Sequence, residues 1–103
     1  MDRIEKLKEL LSTSKDDSFL QHALALEYIK LGNDPEAKKL FTTLLERVPG
    51  YVGSYYHLGK LYERTGEPEE AMNTYEKGMS VALTAGDKHA YNELQGVYEE
   101  LSD

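Results

Sequence analysis

Three histidines are the first candidates for chemistry in this chain. His89 and Glu93 stand four apart, a spacing that puts both on one helix face within reach of a metal ion. His57 is a third donor, more distant in sequence. There is no HExxH and no pair of histidines at helical spacing, and two loose ligands are fewer than a site needs. They read as histidines on polar helix faces, so no metal is expected. Gly53-Ser54-Tyr55-Tyr56-His57-Leu58-Gly59-Lys60 has the glycines and lysine of a phosphate-binding loop. It fails as one: the glycine spacing is one residue too long, Leu61 stands where Ser or Thr belongs, and no strand precedes it. Glu69 and Glu70 fall at a helix start, where the dipole favours carboxylates. A general acid–base pair needs a pocket, and no pocket is indicated. With no cysteine in the chain, disulfides, thiolate metal sites and a cysteine nucleophile are excluded. Neither catalysis nor a cofactor is expected.

The whole chain has 103 residues, enough for one small domain with a continuous core. Hydrophobic residues make up 40% and charged residues 30%, too apolar for a disordered chain. Twelve Lys and Arg against 19 Asp and Glu give a net charge of -7, which argues against nucleic acid or an anionic membrane as the main partner. The first residues, Met1-Asp2-Arg3-Ile4-Glu5-Lys6, are charged where a signal peptide needs an apolar stretch, so a cytoplasmic location is expected. The acid is uneven. Residues 87–103 hold Asp87, Glu93, Glu99, Glu100 and Asp103 against Lys88 alone. A solvated face explains this, and so does mild steering of a basic partner.

The elements that must position any site are helices. Apolar residues recur at spacings of three and four. Ile4, Leu7, Leu10 and Leu11 form one stripe, then Leu24, Tyr28 and Leu31, then Ala37, Phe41, Leu44, Leu45 and Val48. Tyr55, Leu58 and Tyr62 follow, then Ala71, Tyr75 and Met79, then Tyr91, Leu94, Tyr98 and Leu101. Gly32, Gly66 and Gly86 read as helix ends, and Pro35 and Pro68 as helix starts. Six helices are predicted, at about 2–12, 17–31, 34–47, 51–65, 68–85 and 87–102, with short links that make neighbours antiparallel.

The chain also repeats itself. A shift of 34 residues lays Leu24 on Leu58, Ala25 on Gly59, Tyr28 on Tyr62, Gly32 on Gly66, Ala37 on Ala71 and Phe41 on Tyr75. A shift of 36 lays Tyr55, Leu58 and Tyr62 on Tyr91, Leu94 and Tyr98, so the second unit has gained about two residues in its last helix. Small residues at Ala25, Gly59, Ala37 and Ala71 mark where paired helices approach, and each unit leaves an apolar face for the next to cover.

This pattern resembles the tetratricopeptide repeat family, whose unit of about 34 residues pairs a helix A with a helix B around W-x2-L-G-x2-Y, A-x3-F and P. Residues 18–51 carry Gln21-x2-Leu24-Ala25-x2-Tyr28, Ala37-x3-Phe41 and Pro49. Residues 52–87 carry Tyr55-x2-Leu58-Gly59-x2-Tyr62 and Ala71-x3-Tyr75, with Leu83 in place of the closing proline. Gln21, where the family has an aromatic residue, is the weakest match. The resemblance implies an all-α, right-handed helical-repeat solenoid of about six antiparallel helices. It forms one domain over 1–103: an N-terminal capping helix in 1–17, repeats at 18–51 and 52–87, and a C-terminal capping helix in 88–103. The polar outer faces of both caps imply a complete miniature.

In this family helices A line a concave surface that binds a peptide or helix of another protein. Carried onto this sequence, that surface reads Phe19, His22, Leu26 and Ile29, then Tyr56, Lys60 and Glu63, then His89, Asn92, Gly96 and Glu99. The groove residues to test are Phe19, His22, Leu26, Ile29, Tyr56, Lys60, Glu63, Asn92 and Glu99. An equally simple reading makes Phe19 and Ile29 partly buried core edges and Tyr56 incidental. The family's best-known mode clamps a C-terminal carboxylate with Lys, Arg and Asn. Here Leu26 and Lys60 stand in the Asn slots and His22 in a Lys slot, leaving only Lys60 and Arg64 as donors, so that mode is not carried over. The expectation is a monomeric protein-binding scaffold whose partner offers an apolar anchor and a basic residue. The alternative is self-assembly by stacking of the terminal helices.

Overall fold

The structure is a computed structural model that describes residues 2–102. Its six helices are α1 (Arg3–Thr13), α2 (Ser18–Leu31), α3 (Asp34–Arg47), α4 (Gly53–Arg64), α5 (Pro68–Ala85) and α6 (Lys88–Ser102). No strand occurs among the described residues. The periodicity therefore located every helix. The largest difference is at α4, which begins at Gly53 instead of 51, because Tyr51 and Val52 form a turn whose carbonyls accept from Ser54 and Tyr55.

Local chemistry sets the boundaries. Asp2, Asp17 and Asp87 each accept a backbone N–H three residues on, at 2.8, 3.0 and 3.0 Å, and so cap α1, α2 and α6. Gly32, Gly66 and Gly86 take φ of 77°, 77° and 71°, a conformation costly for any side chain. Each is followed by an N–H that closes back five residues: Asn33 to the Tyr28 carbonyl, Glu67 to that of Tyr62, and Asp87 to that of Ala82. Pro35 and Pro68 sit in the first turns of α3 and α5, where no N–H is needed.

The helices fall into two units, 1–48 and 49–103. In the first, α2 packs on α3 and α1 packs on α2. Leu7, Ala23, Leu24, Ala25, Tyr28, Ala37, Phe41, Leu44 and Leu45 form its core. Leu10, read as part of the buried stripe of α1, is instead 45% exposed. In the second, α5 packs against both α4 and α6. Its core is Tyr55, Leu58, Leu61, Ala71, Tyr75, Ala82, Leu94 and Val97. The small residues do what the repeat implied. Ala25, Ala37 and Ala71 are fully buried, and a Cβ on Gly59 would meet the Tyr75 ring at 2.1 Å. Gly78 gives the same close approach among three helices, since its Cβ would lie 2.6 Å from Tyr55 Cβ and 3.0 Å from Leu94 Cδ1.

Gln21 is a good structural match despite its chemistry. It is 9% exposed, and its amide nitrogen donates to the Lys15 carbonyl at 3.0 Å. Its amide oxygen accepts from Arg47 at 2.8 Å. Tyr55, its counterpart 34 residues on, donates its hydroxyl to the Pro49 carbonyl at 2.6 Å. Both bonds reach back six residues to equivalent carbonyls, so an amide and a phenol hold the same turn in the two units.

The candidate protein-binding faces

In the first unit the candidate residues lie on α2 at spacings of three and four, hence on one stripe. Phe19 is 69% exposed. Leu26 and Ile29 are half-buried. His22 is also half-buried and packs edge-on against core Phe41, ring centroids 5.5 Å apart. The sequence explains this double use. α2 is apolar on nearly all sides, so after α1 and α3 have covered it there is apolar surface left over. Leu31, at its end, is 70% exposed.

In the second unit Tyr56, Lys60 and Glu63 share a stripe of α4 and touch one another. Lys60 Nζ lies 5.9 Å from the Tyr56 ring centroid and 3.7 Å from Glu63 Oε2. Tyr56 also stands edge-on to His57 at 5.5 Å. Glu63 has a second task that sequence reasoning did not assign: its carboxylate accepts the hydroxyl of buried Tyr75, at 2.5 Å, and ties α4 to α5. Burial and this carboxylate together push the Tyr75 phenol well above its ordinary value. Of the three, Tyr56 and Lys60 are therefore the side chains with most freedom to meet a partner.

On α6, Asn92 and Glu99 are exposed. Asn92 borders a cavity at the α5–α6 turn, and Glu99 has no Lys or Arg within ion-pair distance among the described residues. His89 is exposed, but His57 is not the polar-face histidine expected. It is half-buried on α4, and desolvation lowers its pKa against an opposing pull from Glu93 of α6. Among the described residues no three His, Asp or Glu side chains gather as a metal site, and no helix is long and apolar enough to cross a membrane. Leu83 is an exposed feature that the sequence reading missed, whereas Gly96, read there on the α6 stripe, is exposed with open space where a Cβ would stand. The 36-residue offset was the available signal for Leu83, because its two extra residues lengthen α5.

Comparison with known proteins agrees with this architecture. The tetratricopeptide repeat pattern matches residues 17–51 and again residues 52–84. A TPR repeat-containing protein of Pseudomonas aeruginosa is 30% identical over 91 residues, spanning 88% of this chain and 87% of that protein. A tetratricopeptide repeat domain protein of Salinibacter ruber, solved by NMR, is 44% identical with a TM-score of 0.80, covering 82% of this chain and 86% of that one. The TPR2B domain of yeast Sti1, solved in complex with pHsp70, shares the fold with a TM-score of 0.88 at 18% identity, over 96% of this chain and 79% of its own. With two repeats matched end to end and their small, aromatic and glycine positions each accounted for by packing, the chain belongs to the tetratricopeptide repeat family.

Proposed function

We propose that this protein binds a segment of another protein on the helix-A faces of its repeats, and that it performs no chemistry on it. Tetratricopeptide repeats serve generally as protein–protein interaction modules, and the Sti1 domain of the same fold was solved in complex with pHsp70. The observation that carries the reading here is surplus apolar surface: Phe19 stands 69% exposed on a stripe shared with half-buried Leu26 and Ile29. Tyr56 with Lys60 supplies a rigid aromatic contact on α4. Asn92 and Glu99 add polar and acidic contacts on α6, favouring a partner with an apolar anchor and a basic residue. In this reading the chain acts as one monomeric cytoplasmic domain, with repeats at 18–51 and 52–87 between two flanking helices.

The test is affinity capture followed by direct measurement with the captured partner. Phe19→Asp is the sharpest variant, because it deletes an anchor and adds a charge at a side chain the core does not use. It should lower affinity at least tenfold while the unfolding midpoint barely moves. Tyr56→Ala combined with Lys60→Glu should do the same. Full affinity in both variants would move the site off these faces. A concentration-dependent dimer in sedimentation would point instead to self-assembly.

A further inference from the structure

Helix α5 has 18 residues where its counterpart α3 has 14. The added turn is not spent on the core alone. Ala82 is fully buried, but Leu83 beside it is 64% exposed. This turn and the start of α6 border a cavity of about 200 Å³ whose apolar wall is Ala82, Leu83, Gly86 and Tyr91, with Asn92 and the opposite charges of Asp87 and Lys88 completing its lining. At ~30 Å³ for each water it would otherwise hold, that is room for one leucine- or phenylalanine-sized side chain. Two of its lining residues, Ala82 and Leu83, come from the added turn, which α3 lacks.

From the cavity a single stripe runs along α6. Asn92, Gly96 and Glu99 fall within an arc of about 60° at 100° per residue. Nothing lies within 4 Å of where a Cβ on Gly96 would sit. Glycine weakens a helix interior relative to alanine, so the fold gains nothing from it here. What it offers is main chain that another backbone can approach closely. Beyond it stand Glu99 and Glu100, with Glu93 nearby, and among the described residues no Lys or Arg forms an ion pair with any of the three. The charge of the whole unit has the same sign. Residues 49–103 hold ten Asp and Glu against four Lys and Arg, whereas residues 1–48 hold nine against eight.

We propose that this stripe of α6 is the docking site for an extended basic segment of a partner protein. One apolar side chain fills the cavity beside Leu83 and Tyr91, the segment's main chain crosses Gly96, and a Lys or Arg meets the Glu99 carboxylate. The spacing follows from helix geometry. Seven residues separate Asn92 from Glu99, about 10 Å at 1.5 Å per residue. A polyproline II strand advances about 9 Å in three residues and returns to the same face. The segment therefore carries its apolar and basic residues three apart, in a polyproline II backbone. This rests on the protein-binding reading and names one partner chemistry for the second unit.

The probe is a capped eight-residue peptide with leucine-proline-proline-arginine at its centre, titrated into the isotopically labelled protein and followed by amide chemical shifts. Shifts should centre on Leu83, Tyr91, Gly96 and Glu99, with a dissociation constant on the order of 1 mM. Peptides with serine for leucine, or glutamate for arginine, should bind at least fivefold more weakly. Leu83→Ser and Gly96→Leu should each weaken the parent peptide at least fivefold. Both sites are open, so neither variant should fall in thermal midpoint by more than a few degrees. Equal binding by both variants, by the serine peptide or by the glutamate peptide overturns the proposal. So do shifts confined to residues away from α6 and the end of α5, or no shifts at several millimolar peptide. In any of those cases, a captured partner that still depends on Phe19 and Tyr56 leaves the broader reading standing.

Discussion

The same substitution should have opposite effects at two glycines of the second unit. Gly59→Ala would place a methyl carbon 2.1 Å from Tyr75 Cε1, 2.6 Å from Cζ and 2.7 Å from Cδ1. The ring cannot swing away, because Tyr75 has no exposed surface and its hydroxyl is held by Glu63 across the α4–α5 contact. The helices themselves must part. Overpacking a filled core costs about 1–3 kcal/mol, and so close an approach belongs at the upper end. The gain in helix propensity from glycine to alanine offsets about 1 kcal/mol, leaving a net loss near 2 kcal/mol. At Gly96 a methyl meets nothing within 4 Å, so only the propensity term acts and the variant gains about 1 kcal/mol. Urea unfolding followed by circular dichroism measures both. For a slope of about 1–2 kcal/mol per molar, Gly59→Ala should lower the midpoint by about 1–2 M, and Gly96→Ala should raise it by about 0.5–1 M. A Gly59→Ala variant as stable as its parent would refute the packing argument. A Gly96→Ala variant less stable than its parent would show that the open space around α6 is already filled in solution.

Three further outcomes follow from the same packing. Ala71 is fully buried, so Ala71→Leu should overpack α5 and cost about 1–3 kcal/mol in urea unfolding. Gln21→Leu should cost about 1–3 kcal/mol by leaving the Lys15 carbonyl without its amide donor, and Gln21→Tyr should recover part of that, because Tyr55 makes the equivalent bond to Pro49. The His57 pKa is lowered by burial from 6.5, against the pull of Glu93 on α6 and with the Tyr56 ring as its aromatic neighbour on α4. The folded state then binds fewer protons than the unfolded chain, so stability is complete above pH 6.5 and is lost as pH falls through the folded pKa. An imidazole titration by NMR should give a midpoint below 6.5, and His57→Gln should flatten the fall in urea midpoint over that range.

Most of the fold was legible because its causes are local. Helix stripes, capping aspartates, glycine at positive φ and proline in a first turn each act within a few residues of the signal. The repeat then identified which apolar residues meet, and Gly59 against Tyr75 is the contact that a 34-residue overlay implies. What the sequence hid are interactions that cross between helices. Gln21 looked like a failed aromatic because a consensus records residue type, while the structure uses the position for a hydrogen bond to a carbonyl six residues back. Glu63 looked like a groove carboxylate because its helical angle is right, but Tyr75 reaches it from α5. His57 looked polar-faced because its burial depends on where α6 lies. The candidate faces were legible as stripes. How much of each stripe the neighbouring helices would take was not.

The small-residue positions carry one more step. In the paired helices A this position is Ala25 or Gly59, and at Gly59 it admits the ring of the following helix B. In α6 the equivalent residue, 36 positions beyond Gly59, is half-buried Gln95. A helix laid on α6 as α5 lies on α4 would drive its aromatic residue into that side chain. In the paired helices B the position is Ala37 or Ala71, and in α1 it is Arg3, which bonds Glu27 at 3.1 Å. Long polar side chains thus stand at both positions where another repeat helix would need close approach. This argues against self-assembly by extending the repeat through α1 and α6. It also directs a partner of α6 to the stripe that the repeat does not use, where Asn92, Gly96 and Glu99 offer a cavity edge, bare backbone and a carboxylate with no ion pair among the described residues.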